Sequence, residues 1–190
     1  QPLFVMMLTL RQHGPHMTPL EKLPKPYDKP LFPGQFKPPE LDEWLNVNLG
    51  NYLQRLAGSD TAITHIEKIL LDGPRPAVLF HFGDHQPSFD GAIREIAKTV
   101  PASVSDSNFI TYYMLKSNYK PARKYRYDAL DLSFAGGLIL DVAGVPKDAM
   151  FQANALLRER CKGYYLDCEN RPMLDSYHNY IFHELNVLHE

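Results

Sequence analysis

Long apolar runs are missing from this 190-residue chain. None approaches the roughly 18 to 20 residues that a membrane span needs, and no stretch reads as a signal peptide. An excess of either charge is missing too. Twenty Lys and Arg stand against 22 Asp and Glu, a formal net charge of −2, which gives no electrostatic reason to expect nucleic acid as a partner. Cysteine is scarce: Cys161 and Cys168, in "RCKGYYLDCEN", are not spaced as CxxC and have no second pair, which argues against a zinc site. Two readings of them stay open, unrelated thiols or a local disulfide, because Gly163 between them permits a tight reversal. Such a bridge would contribute roughly 2–3 kcal/mol in the chain-entropy model. It would also imply an oxidising compartment such as a periplasm or the outside of a cell. An initiator Met is lacking as well, and the chain starts almost at once inside the apolar run "LFVMMLTL". This leads us to expect a chain cut from something larger.

What is present fits one domain over residues 1–190, long enough to bury a substantial core. Residues 3–10 form a continuous apolar run of strand length, as a central strand covered on both faces would. Eight of the 16 prolines lie between Pro15 and Pro39, so residues 11–40 are expected as an extended, irregular loop. From Leu41, the residues Trp44, Leu45, Leu49, Tyr52, Leu53 and Leu56 recur at three- and four-residue spacing, which predicts one face of a long helix with Trp44 in the core. The rhythm continues through Ile63, Ile66, Ile69 and Leu70 until Gly73 and Pro74 stop it.

"AVLFHF" (77–82) predicts a second buried strand, 89–100 a short helix and 108–118 a third strand. Residues 130–146 read as a helix closed by Gly144 and Pro146. The rest, 147–190, is expected as C-terminal helices around a small Cys-flanked hairpin. Strands alternating with helices predict the α/β class, with a largely parallel sheet flanked by helices on both faces.

In open α/β sheets, ligands gather outside the carboxyl ends of the strands. Two expected strands end in suggestive residues: "LTLRQHGPH" places His13 past the first, and "LFHFGDHQP" places Asp84 and His85 past the second. A carboxylate with neutral imidazoles suits a divalent ion such as zinc or manganese. A DH pair after a strand is also an ordinary way to punctuate a turn. His65, His178, His183 and His189 read as surface or half-buried residues, and His81 as a satisfied residue within its strand.

Four stretches in order resemble the C-terminal part of the sulfatase-type catalytic domain of the alkaline phosphatase superfamily. They are "LFVMMLTLRQHGPH", "YLQRLAGSDTAITHIEKIL", "AVLFHFGDHQPSF" and "ITYYMLKSN…LDLSFAGGLILDVAGVP", together covering roughly residues 3–146. The resemblance implies that Asp84 and His85 are metal ligands, for manganese or zinc with calcium or magnesium as alternatives. It implies that His13, in the HGP turn, contacts the transferred group or a second metal. His16 stands where that family often has an aromatic, and Asp60 falls in a helix position of structural character. The GDHQP-like turn is similar to that of membrane-anchored members handling phosphoglycerol or phosphoethanolamine headgroups, with the catalytic domain outside the cytoplasmic membrane. A Cys161–Cys168 disulfide would agree with that location.

The chain departs from the family pattern at one point. The nucleophile and first acidic ligand of that family precede the HGP turn, and this chain begins just before it. The resemblance therefore implies an incomplete metal site and a polypeptide that is inert without the missing N-terminal half of its domain. The expected substrates of the parent are phosphate or sulfate esters, with a lipid headgroup or glycan as acceptor. Two competing readings are a non-catalytic, sulfatase-like binding or regulatory domain with the proline-rich loop as its docking surface, and a small self-contained metal-binding module.

Overall fold

A computed structural model describes residues 3–87, 89, 91 and 110–187. They fall into two compact units, one within Gln1–Ile69 and Pro87–Ala97, the other within Leu70–Gln86 and Lys98–Glu190.

In the first unit, helix α1 spans Pro39–Leu71, as its three- and four-residue spacing predicts. Glu40 and Asp42 lie in its first turn, where the helix dipole favours carboxylates. The buried side is not the one drawn by apolar residues alone. Leu45 and Leu49 are buried, but so are Asn46, Asn48 and Asn51, while Trp44 is 40% exposed rather than core. Asn48 donates back within the helix to the Trp44 carbonyl, and the proline-rich segment explains the other two. Asn46 Nδ2 donates to the Phe32 carbonyl (3.2 Å) and its Oδ1 accepts from the Phe32 N–H (2.8 Å). Asn51 Nδ2 donates to the Thr18 carbonyl at 2.8 Å. Apart from a 3-10 turn at Leu20–Lys22 and a few isolated turn bonds, prolines keep the segment from satisfying its own backbone, and side chains of α1 supply further partners. Gly50 makes the approach possible, since a Cβ there would lie 2.8 Å from Leu20 Cδ2 and 3.3 Å from the Tyr27 carbonyl. A small core of Phe36, Leu45 and Phe89, flanked by Leu41 and Tyr52, closes the unit.

Residues 3–10 form no strand. Their side chains are exposed, from 65% for Val5 and Met7 to 86% for Leu3. A strand exists only through a neighbour's hydrogen bonds, and no described segment pairs with this one.

In the second unit, β1 (Val78–Phe82) pairs with β2 (Tyr113–Ser117), and they are antiparallel, Phe80 opposite Leu115. The expected largely parallel sheet is thereby corrected: among the described residues the sheet has two antiparallel strands, accompanied by four helices. No residue of β1 is fully buried, whereas a central parallel strand would be covered on both faces. Asn118 closes one end of the pair, donating from Nδ2 to the carbonyls of Gly73 and Arg75 and accepting from Ala77 N–H. The expected helix over 89–100 and the first residues of the expected strand over 108–118 lie outside the described residues, apart from Phe89 and Gly91.

Helix α2 (Ala135–Ala143) follows a short turn capped by Asp131 and ends on Gly144, whose φ of +65° suits a glycine C-cap. Helix α3 (Ala149–Arg160) is capped by Asp148, and α4 (Arg171–Asn179) by Asn170 with Pro172 in its first turn, before a π turn over Tyr180–Glu184. Glycines let α2 approach α3: a Cβ on Gly136 would meet Phe151 at 3.1 Å, and one on Gly137 would meet Asn154 Oδ1 at 2.8 Å. Phe134, Leu157, Leu174 and the Cys161–Cys168 disulfide make the core. The Cys-flanked segment is a series of turns, not a hairpin of strands. Among the described residues no helix is long and apolar enough to cross a membrane.

Candidate functional site

The GDH turn begins where β1 ends. Gly83 N–H still donates to the Tyr112 carbonyl (3.1 Å), extending the ladder by one bond. A Cβ on Gly83 would lie 2.3 Å from Thr111 Oγ1, so glycine is required by close approach rather than by a special turn conformation. The chain then leaves the ladder, and Asp84 and His85 project outward, their side chains 70% and 69% exposed.

Each of these side chains is tied to the backbone by one atom and leaves the other outward. Asp84 Oδ1 accepts from the His85 N–H at 2.9 Å, and His85 Nδ1 lies 2.9 Å from the Gln86 carbonyl oxygen. A carbonyl only accepts, so Nδ1 donates to it and Nε2 is the ring atom left for another partner. That Nε2 faces Asp84 Oδ2 at 3.6 Å. Two ligands bound at about 2.1 Å to one tetrahedral ion are separated by about 3.4 Å. The donor set and its spacing therefore fit two positions of a divalent-ion site. The carbonyl bond at Nδ1 is the arrangement by which metal-bound histidines are usually oriented. Among the described residues no group of three or more His, Cys, Asp or Glu is placed to hold a metal ion.

His13 belongs to the other unit and repeats the same local device. Its Nδ1 lies 2.9 Å from the Gly14 carbonyl, leaving Nε2 of an exposed ring outward. The turn is held on α1 by Arg55, whose two Nη atoms donate to the carbonyls of His13 (2.9 Å) and Pro15 (3.1 Å). His16, three residues on, is buried between Tyr52 and Phe89, with ring centroids 5.9 Å away in each case. Its Nδ1 has no hydrogen-bond partner among the described residues. Burial first, then the charges of Arg55 and His13, pushes the His16 pKa below its usual value. His16 is thus a neutral packing residue beside the turn. Asp60 is an exposed position on α1.

Of the residues singled out from sequence, the structure brings Asp84 and His85 together and puts His13 in the first unit. Sequence reading missed the carbonyl of Gln86, which orients the His85 ring, Arg55, which holds the backbone of the His13 turn, and Thr111, which lies against Gly83. A main-chain acceptor leaves no trace in residue identity, and Arg55 looks like any solvated helix arginine.

No protein family profile matches this chain, and no solved structure matches it. An uncharacterised protein of Haemophilus influenzae is 30% identical over 188 residues, covering 98% of this chain and 32% of the relative. The chain thus spans about a third of the length of the relative it matches.

Proposed function

We propose that this chain is part of a metal-dependent enzyme that hydrolyses or transfers phosphate or sulfate esters, with Asp84 and His85 supplying two of its metal ligands. The observation that carries this reading is the pair of outward atoms, Asp84 Oδ2 and His85 Nε2, spaced for one ion while their counterparts are held by backbone. The HGP and GDH turns support it, and the reading rests on these turns rather than on the fold. A divalent ion, manganese or zinc with calcium or magnesium as alternatives, would polarise the ester and activate a hydroxyl nucleophile. His13, whose Nε2 is free of the backbone, keeps the role that the HGP resemblance implies, contact with the transferred group or a second metal. The Arg55 clamp keeps that turn in place. The remaining ligands and the nucleophile would come from the rest of a longer protein, as the length of the Haemophilus relative suggests.

The Cys161–Cys168 disulfide supports an oxidising location, the outer face of a cytoplasmic membrane, where a lipid headgroup or glycan would be the acceptor. In the intact protein, Asp84→Ala should abolish both metal content, read by elemental mass spectrometry, and ester turnover. The 190-residue chain alone should be inert. Full activity of the Asp84→Ala protein, or robust ester hydrolysis by the isolated chain, would overturn the assignment.

A further inference from the structure

The second unit carries a cleft lined by neither the HGP nor the GDH turn. It has a volume of about 740 Å³, within the range of small-ligand sites. One wall is the segment 123–128, "RKYRYD", and the other is the disulfide-closed turn with the end of α3. Three features hold the walls in place. The Cys161–Cys168 bond closes the turn. Gly163, at φ +92°, is pressed so close to the first wall that a Cβ would lie 2.6 Å from the Ala129 carbonyl and 3.0 Å from Tyr127 Cδ1. Arg158, fully buried, donates from Nε to Tyr127 Oη (3.1 Å) and lies 5.6 Å from the Tyr125 ring centre.

Lys124, Arg126, Arg160 and Lys162 line the cleft, and none has an ion-pair partner among the described residues. Arg160 and Lys162 sit at the C-terminus of α3, where the helix dipole alone would account for them. Lys124 and Arg126 have no such explanation. Two carboxylates of the same cleft, Asp128 and Glu169, are equally unpaired. A purely anionic surface would be repelled by them. Tyrosines 125, 127 and 164 complete the lining.

We infer that this cleft binds an acidic oligosaccharide: the cations take its carboxylate or sulfate groups, the unpaired carboxylates accept from its hydroxyls, and the tyrosine side chains flank its sugars. Each residue class on the walls then has a complementary group on the ligand. The inference is independent of the metal-site reading, since it involves neither turn and its test measures binding without metal.

Fluorescently labelled tetragalacturonate and a heparin-derived tetrasaccharide should bind the 190-residue chain, disulfide intact, by anisotropy titration, and maltotetraose should not compete. Lys124→Gln with Arg126→Gln, both exposed, should weaken binding at least about tenfold with unchanged thermal unfolding. Asp128→Asn with Glu169→Gln decides between sugar recognition and charge adhesion. Exchanging charge-assisted carboxylate acceptors for neutral amide oxygens weakens a bound oligosaccharide, whereas removal of negative charge strengthens plain attraction to a polyanion. Tighter binding by this second variant, no binding of either tetrasaccharide, or binding only to phosphatidylglycerol vesicles would each overturn the inference.

Discussion

Two irregular stretches of this protein are ordered by opposite means. The proline-rich segment of the first unit lies on α1 through neutral amides and one arginine: Asn46 and Asn51 hold its carbonyls, and Arg55 holds the HGP turn. Asp42 adds two bonds from the backbone N–H groups of Gly34 and Phe36, which lower its pKa. The segment 119–131 and the turn beyond α3, in the second unit, are fastened by a covalent bridge and by buried charge. There Arg158 and Lys147 both pair with Asp141, and Arg158 also holds Tyr127. Burial pushes the Asp141 carboxyl up, but the hydrogen bonds from Lys147 and Arg158 outweigh it and leave it below the usual range. Many separate tethers of the first kind fail one at a time. The second kind concentrates its stability in a few groups.

Breaking that concentration should have the largest effect. Arg158→Met removes the buried cation and leaves Asp141 with Lys147 alone. Loss of one partner from a buried pair costs about 3–5 kcal/mol, which urea unfolding would register as a lower midpoint. A cost below about 1 kcal/mol would mean that the charges are not what fastens this region. Next in size is the bridge. Cys161→Ala with Cys168→Ala should lower stability by about 2–3 kcal/mol, measured the same way against the oxidised protein. Equal stability of the two would show that packing on Phe134 and Leu157 suffices.

The same contrast explains what could be read from the residues. Helices α1 and α2 were legible because their apolar spacing and their end signals, Gly73, Pro74 and Gly144 among them, act locally. The pairing of β1 was not. A continuous run such as "AVLFHF" looks the same in a parallel or an antiparallel sheet, and its partner is set by distant residues. "LFVMMLTL" has strand composition, yet composition does not supply a neighbour to pair with. The candidate ligands Asp84 and His85 were visible as residue types at a turn. What aims them was invisible, because it is backbone, the His85 N–H and the Gln86 carbonyl. Nothing in the sequence marks Asn46 and Asn51 as buried, since a polar residue on a helix reveals nothing of the loop that covers it.

In the first unit a single broken tether should act locally. Asn51→Ala leaves the Thr18 carbonyl without its donor and should cost about 1–2 kcal/mol. Among the lysines of the proline-rich segment only Lys22 is not followed by proline, so trypsin cleavage at Lys22–Leu23 reports its release. Cleavage should quicken while the unfolding of the second unit stays unchanged. A global loss of stability would erase the distinction between the two regions.

The smallest effect concerns His16. Its folded pKa lies below the ordinary value because the ring is buried, near Arg55 and His13. The unfolded chain therefore takes up a proton first as pH falls below about 6.5, and between that point and the lower folded pKa each step towards acid favours unfolding. His16 thus contributes stability that is full above pH 6.5 and declines beneath it. His16→Phe should keep the aromatic contacts with Tyr52 and Phe89 and remove this slope. The difference in melting temperature between the two proteins should then shift in favour of the variant as pH is lowered from 7 to 5. A difference that stays constant over that range would place the His16 ring in water rather than in the first unit's core.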